Sequence, residues 1–332
     1  MLKFGFLGAW HSHAPMHVRE AAQRPEEFKL LGMYDPDAAV IEGNLARWAE
    51  YGLDIPVFDS ADALLDSDIE AVVVEGHVYQ NLDYAEQALK AGKHVLLEKP
   101  AGVDLAHMER VHALAQSSGL MLQMAYMWRY NPVLHEVLRL VRAGVLGQIF
   151  QFRGHIPKPL EWHPQLDGEF KVYQGGVYFE MAGHLVDQLV ALMGEPKAVH
   201  PVLGRHWDKR VHIDNAVVVH ECADGLATVD TTGMQVGSAR RIEVHGTGGT
   251  ALHAPLGSNN LELYLSEATQ GYKAGWQSIE IEPDENFPTL LRELAACIRG
   301  EKEPDFSLAH DGAVQRTLFK GCGIEGGCAL AK

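Results

Sequence analysis

Cysteine is scarce. Four residues, Cys222, Cys297, Cys322 and Cys328, all lie in the last third of the chain, and none forms a Cys-x-x-Cys pair. That argues against a disulfide framework or a thiolate zinc site and fits a reducing cytoplasm. Basic residues are also in deficit, 28 Lys+Arg against 44 Asp+Glu, for a formal net charge of -16. Charge of that sign repels phosphate backbones and anionic lipid heads, so neither nucleic acid nor a membrane surface is an expected partner. No apolar run approaches the roughly 18 residues a membrane span requires. The N-terminus lacks the basic region, apolar stretch and cleavage site of a signal peptide, so the mature chain is expected to begin at Met1.

What is present is a chain of 332 residues, 47% hydrophobic and 22% charged, which is too long for one compact core and predicts two domains. From Leu2 to Tyr126, short apolar runs alternate with helical periodicity. Strands are expected at Leu2–Gly8, Lys29–Tyr34, Ile69–Val74, His94–Leu97 and Met121–Tyr126, with helices at Pro15–Arg24, Asn44–Tyr51, Asn81–Ala91 and Leu105–Ser118. Such alternation implies a doubly wound parallel sheet.

Beyond Asn131-Pro132 the pattern changes. Leu134, Val137, Leu138 and Val141 mark an amphipathic helix, and Glu180–Met193 reads as a second. Strand-like stretches at Ile149–Arg153, Ala216–His220, Ala227–Thr232 and Arg241–His245, joined by short turns, predict a largely antiparallel sheet with one face covered by helices. Its open face is a candidate interface for a homo-oligomer. The chain is accordingly divided into 1–124 and 125–332.

Gly8-Ala9-Trp10-His11-Ser12-His13 follows the first strand where a nucleotide-binding unit carries three glycines, but only the first is kept. Trp10 and His13 occupy the other two positions, and read plainly the segment is a strand-to-helix turn whose histidines pack or face water. Asp35, 27 positions after Gly8, ends the second strand, where a carboxylate can accept hydrogen bonds from an adenosine ribose. Asp35-Pro36-Asp37 offers no arginine for a 2′-phosphate, which favours NAD over NADP.

Glu98-Lys99-Pro100, at the end of the fourth strand, resembles the most specific motif of the glucose-fructose oxidoreductase, inositol dehydrogenase and MocA family. Trp128-Arg129-Tyr130-Asn131-Pro132, Gly175-Gly176, Glu180-Met181-Ala182-Gly183-His184 with Asp187, and Ile242–Gly249 are similar to further stretches of it. The resemblance implies a Rossmann domain followed by a substrate-binding and oligomerisation domain, with nicotinamide and substrate meeting between them. It implies hydride transfer at a carbinol or carbonyl carbon of a sugar, polyol or related small molecule.

Carried onto this chain, Lys99 is the catalytic lysine, His184 the proton-transferring histidine, and Glu180 stands where the family has an aspartate. The cofactor would be held by Gly8, Trp10, His11, Asp35, Glu75, Glu98 and Lys99, and the substrate by Arg129, His163 and Asp187. Departures from the family are the degraded glycine loop, Glu75-Gly76-His77 in place of a Thr-Pro-Asn-like turn, and Asn81 where histidine is common.

On a continuous helix Glu180, His184 and Asp187 share one face, opposite an apolar stripe of Met181, Leu185, Leu189 and Leu192. Histidine suits proton transfer near neutrality, and an ammonium stabilises a developing alkoxide. His163, His184 and Glu180 have the ligand types of a zinc or non-haem iron site, but all three have roles in a metal-free dehydrogenase, and no metal is expected. Two alternatives share the fold: a lyase or hydrolase that oxidises its substrate transiently with retained NAD, and a nucleotide-binding sensor without turnover.

Overall fold

A computed structural model describes residues 1–160, 170, 172, 174–207, 211–237, 239–283, 285 and 287–330. The chain separates into two units, Met1–Ala125 with Thr289–Leu308, and Tyr126–Pro288 with Ala309–Lys332.

The first unit is built from β1 (Leu2–Leu7), α1 (Ala14–Gln23), β2 (Phe28–Tyr34), α2 (Ala38–Trp48), α3 (Ala61–Leu65), β3 (Ala71–Val74), α4 (Asn81–Lys90), β4 (His94–Leu97), α5 (Leu105–Ser118) and β5 (Leu122–Met124). The strands pair in parallel in the order β2-β1-β3-β4-β5. β3 reads Ala-Val-Val-Val and is wholly buried, as a strand covered on both faces must be. The order reverses at β1 and β3, and ligands of such sheets bind outside the carboxyl ends of the strands at that point. Helix α2 begins earlier than periodicity alone suggests, because the Asp37 side chain accepts the Ala39 N–H at 2.8 Å and caps it.

The second unit opens with α6 (Pro132–Arg142), whose cap Asn131 accepts the N–H groups of Val133 and Leu134, both at 3.0 Å. There follow β6 (Ile149–Pro157), α7 (Gly176–Met181), α8 (Gly183–Met193), β7 (Ala198–Gly204), β8 (Asn215–Glu221), β9 (Leu226–Thr232), β10 (Arg241–Gly246), β11 (Gly249–His253), β12 (Asn260–Leu265) and β13 (Gly275–Glu280). They form an eight-stranded sheet, β13-β12-β11-β10-β6-β9-β8-β7, antiparallel apart from the β6–β9 pair. Alternate residues Phe152, Ile156, Val218, Val229, Val244 and Leu263 are fully buried on the face met by α7 and α8. The opposite face keeps Val202, Val217, Leu226, Tyr264 and Trp276 exposed.

The chain then returns to the first unit with α9 (Leu290–Ile298), and α10 (Leu308–Gly321) ends the second. The sequence reading keeps 289–308 in the second half; the structure moves it because Leu290, Leu291, Leu294 and Ala295 are buried there. Polar contacts fix the return: the Gln123 side-chain amide donates to the Leu290 carbonyl at 3.0 Å, Thr289 bonds Glu20, and Arg292 Nε donates to Glu27 at 2.9 Å. Among the described residues no helix is long and apolar enough to cross a membrane.

Candidate active site

In the first unit the candidate residues gather at the carboxyl ends of β1, β3 and β4. Gly8 leaves β1 at φ +79°, and a Cβ there would lie 2.8 Å from the Gly76 Cα, so only glycine allows the turns after β1 and β3 to approach so closely. The two turns are tied by the His11 N–H donating to the Glu75 carbonyl at 2.7 Å. Asp35 ends β2 and accepts the N–H groups of Ala9 (2.8 Å) and Asp37 (2.9 Å), and Asn44 donates to the Ala9 carbonyl at 2.6 Å. Asp35 therefore shapes the loop as well as standing at the ribose position. Trp10, at the second glycine position, lies 4.0 Å from the His77 ring, which stacks on Tyr79 at 5.2 Å.

Glu75 and Glu98, the residues after β3 and β4, are 0% and 1% exposed. Both face imidazoles. His11 Nδ1 lies 3.2 Å from Glu75 and 3.6 Å from Glu98, His13 Nδ1 lies 3.1 Å from Glu98, and His17 Nε2 lies 3.2 Å from Glu75. Lys99 is 3% exposed, far from a surface lysine, with Nζ 3.7 Å from the Glu98 carboxylate. Burial pushes the Glu98 carboxyl up, but His13, His11 and Lys99 outweigh it and hold the group well below its usual range. The peptide Lys99–Pro100 is cis.

In the second unit the single helix expected over Glu180–Met193 is two, α7 and α8, separated at Ala182. Ala182 keeps helical dihedrals, with φ -67° and ψ -21°, so Glu180 and His184 bracket a one-residue break. The polar residues of this segment are buried: Glu180, His184, Asp187 and Gln188 are 3%, 5%, 0% and 4% exposed. A helix buried all round must place its polar groups against partners.

His184 stacks on Trp128 at 4.8 Å and meets the edge of Tyr126 at 6.0 Å. The Arg129 guanidinium lies over the Tyr126 ring, 5.0 Å from its centroid. Arg129 and Asp187, both expected at the substrate, are partners of each other, with Nη2 to Oδ1 at 2.6 Å, and Asp311 and His310 complete the group. Asp187, His310 and Asp311 have a metal-ligand arrangement, but Arg129 already donates into both carboxylates. His163 lies outside the described residues.

His17, Asp311 and His310 escape sequence reasoning. The i, i+4 spacing of His13 and His17 was the available signal for the first; nothing local marks the other two.

Two family profiles match the chain. One, described as an oxidoreductase family with an NAD-binding Rossmann fold, covers residues 2–126, and the other, the GFO/IDH/MocA C-terminal domain, covers 134–252. The chain is 31% identical over 141 residues to the uncharacterized oxidoreductase YhhX of Escherichia coli, covering 42% of this chain and 40% of that protein. It is 23% identical to levoglucosan dehydrogenase of Pseudarthrobacter phenanthrenivorans over 92% of this chain and 86% of the relative. The chain thus spans less than half the length of the first relative and most of the second. A solved structure of levoglucosan dehydrogenase in complex with NADH and levoglucosan has a TM-score of 0.80 at 17% identity, covering 97% of each chain. At that identity the likeness is one of fold.

Proposed function

Since the chain belongs to the GFO/IDH/MocA oxidoreductase family, whose N-terminal domain is an NAD-binding Rossmann fold, we propose that it is an NAD-dependent dehydrogenase acting on a sugar, polyol or similar polyhydroxy compound. The observation that carries this reading is the burial of Lys99, at 3% exposure, at the carboxyl end of β4. An ammonium kept from water at the ligand-binding end of a doubly wound sheet is placed to stabilise a developing negative charge. Levoglucosan dehydrogenase, a relative solved with NADH and a sugar, supports the substrate class.

The dinucleotide fits the turn: the close approach of Gly8 to Gly76 leaves no room for side chains there, and Asp35 ends β2 with Pro36 and Asp37 beside it. Gly8, Trp10, Asp35 and Lys99 would hold the cofactor, and the carboxylates at 35 and 37 disfavour a 2′-phosphate. Bound nicotinamide supplies the acceptor or donor of hydride. His184 takes the hydroxyl proton of the carbinol, Lys99 stabilises the developing alkoxide, and Glu180 assists the proton transfer. The exposed apolar residues of the second unit's sheet, Val202, Val217, Leu226, Tyr264 and Trp276, are the surface on which a second copy docks. The proposed compartment is the cytoplasm.

The test is a screen of sugars and polyols with NAD and with NADP, followed by absorbance of the reduced cofactor. Turnover with NAD exceeding that with NADP is expected, and Lys99→Met should lower it by about 10²–10³-fold in a protein with an unchanged circular dichroism spectrum. Unchanged turnover in that variant would overturn the role of the lysine.

A further inference from the structure

Two buried carboxylates meet three imidazoles at the carboxyl ends of β1, β3 and β4. Five side chains from three loops and one helix meet there: His11 and His13 from the turn after β1, His17 from the first turns of α1, Glu75 after β3 and Glu98 after β4. All but His13 are at most 6% exposed, and His13 is 24% exposed on its side chain. One ligand atom each from His11, His13 and Glu98 lies within 4.8 Å of the other two.

We propose that His11, His13 and Glu98 form a binding site for a divalent first-row transition metal ion, with Glu75 beside it and His17 supporting Glu75. Bonds of 2.0–2.1 Å in a tetrahedron place neighbouring ligand atoms about 3.3 Å apart. The His13–Glu98, His11–Glu98 and His11–Glu75 separations are 3.1, 3.6 and 3.2 Å. Two imidazoles and a carboxylate are the ligand types of zinc, iron, cobalt and manganese, not of calcium or magnesium.

An independent observation points the same way. Glu75 is 0% exposed, yet neither of its oxygens receives a well-formed hydrogen bond, and Glu98 Oε2 is buried in the same condition. The Nδ1 of His11 accepts the His13 N–H at 3.3 Å, so as a neutral imidazole it has no proton at Nδ1 to offer the two carboxylates. Buried carboxylate oxygens that receive no hydrogen bond are costly, and a cation beside them removes the cost. Both histidines stand in the degraded glycine loop: the third glycine position carries His13, and the residue after the second carries His11.

This inference does not rest on the redox reading, and a chain that holds metal but never turns over NAD would support one and defeat the other. The experiment uses the full chain, purified without a histidine tag, stripped with chelator and titrated with Zn²⁺ or Co²⁺. About one Zn²⁺ per chain should remain after gel filtration, Co²⁺ should give the visible bands of a low-coordinate nitrogen–oxygen site, and Zn²⁺ should displace it. Zn²⁺ should also raise the thermal midpoint of the wild type by mass action. His13→Ala and Glu98→Gln should abolish retention and the thermal shift, while Glu75→Gln weakens affinity about 10–100-fold, as loss of an outer-sphere partner does. His200→Ala, on the surface, should change nothing. Absence of retained metal in the wild type, or retention that survives His13→Ala in a folded protein, would overturn the assignment.

Discussion

Arg129 donates to the Asp187 carboxylate from two nitrogens, Nε at 3.0 and 3.2 Å and Nη2 at 2.6 Å. The pair is buried at 4% and 0% exposure, and Nη2 reaches a second buried carboxylate, Asp311, at 2.5 Å. Burial alone would disfavour the charged forms of these groups. Burial lowers the Arg129 pKa, but Asp187 and Asp311 outweigh it and hold the guanidinium charged; burial raises that of Asp187, but Arg129 and His310 outweigh it and keep the carboxylate ionised. The charges hold one another in place, so removing the cation strands two anions.

Arg129→Met should therefore destabilise the second unit by about 3–5 kcal/mol, the cost of breaking a buried pair by deleting one partner. Arg129→Lys keeps the charge but not the planar donors that reach Asp187 and Asp311 together, and should recover only part of it. Urea unfolding of the three proteins reads both effects. A loss below about 1 kcal/mol for Arg129→Met, the range of an exposed pair, would show that the cluster does not stabilise the fold.

His220 gives the molecule a pH dependence of defined sign. It sits in β8 at 0% exposure, and desolvation pushes its pKa down from 6.5 to about 4. The unfolded chain binds the proton more readily than the folded one, so stability falls as pH falls. The contribution is intact above about pH 6.5, is lost progressively between there and about pH 4, and amounts to about 3 kcal/mol across the window. His220→Leu should flatten that part of the profile, measured by denaturant midpoints at successive pH values. His253, shifted downward by burial too, leaves a shallower slope of the same sign in the variant.

The parallel half was legible because its signals are local. β3 and β4 are short apolar runs between helical periods, and each structural strand there lies at or within a residue or two of its expected place. The edge of the second sheet was not: β13 alternates half-buried and exposed residues, a pattern that carries little hydrophobic contrast, and its pairing with β12 is what makes it a strand. Among site residues, Lys99, His184 and Glu180 stood out through motif resemblance, but their burial did not. Spacing on a helix gives direction, and cannot tell a face turned to water from one turned to Arg129 and Trp128. The cluster of His11, His13, Glu75 and Glu98 joins three loops, and only strand order brings such positions together.

His184 is held between two aromatic side chains. Its ring stacks on Trp128 at 4.8 Å with an interplanar angle of 26° and meets Tyr126 edge-on at 80°, so two aromatic walls fix the imidazole. In the proposed reaction a base acts only if its ring nitrogen is presented in one orientation, and misplacement by about an ångström can cost 10²-fold. His184→Gln removes the proton acceptor and should lower kcat/KM by about 10²–10⁴-fold on whichever polyol the screen identifies. Trp128→Leu keeps the imidazole but removes one wall, and should lower kcat by about 10-fold or more with KM little changed, since orientation matters more in the transition state than in binding. Steady-state kinetics on the two variants separates the roles. If Trp128→Leu instead raises KM with kcat unaltered, the tryptophan contacts substrate and the histidine is held by other means.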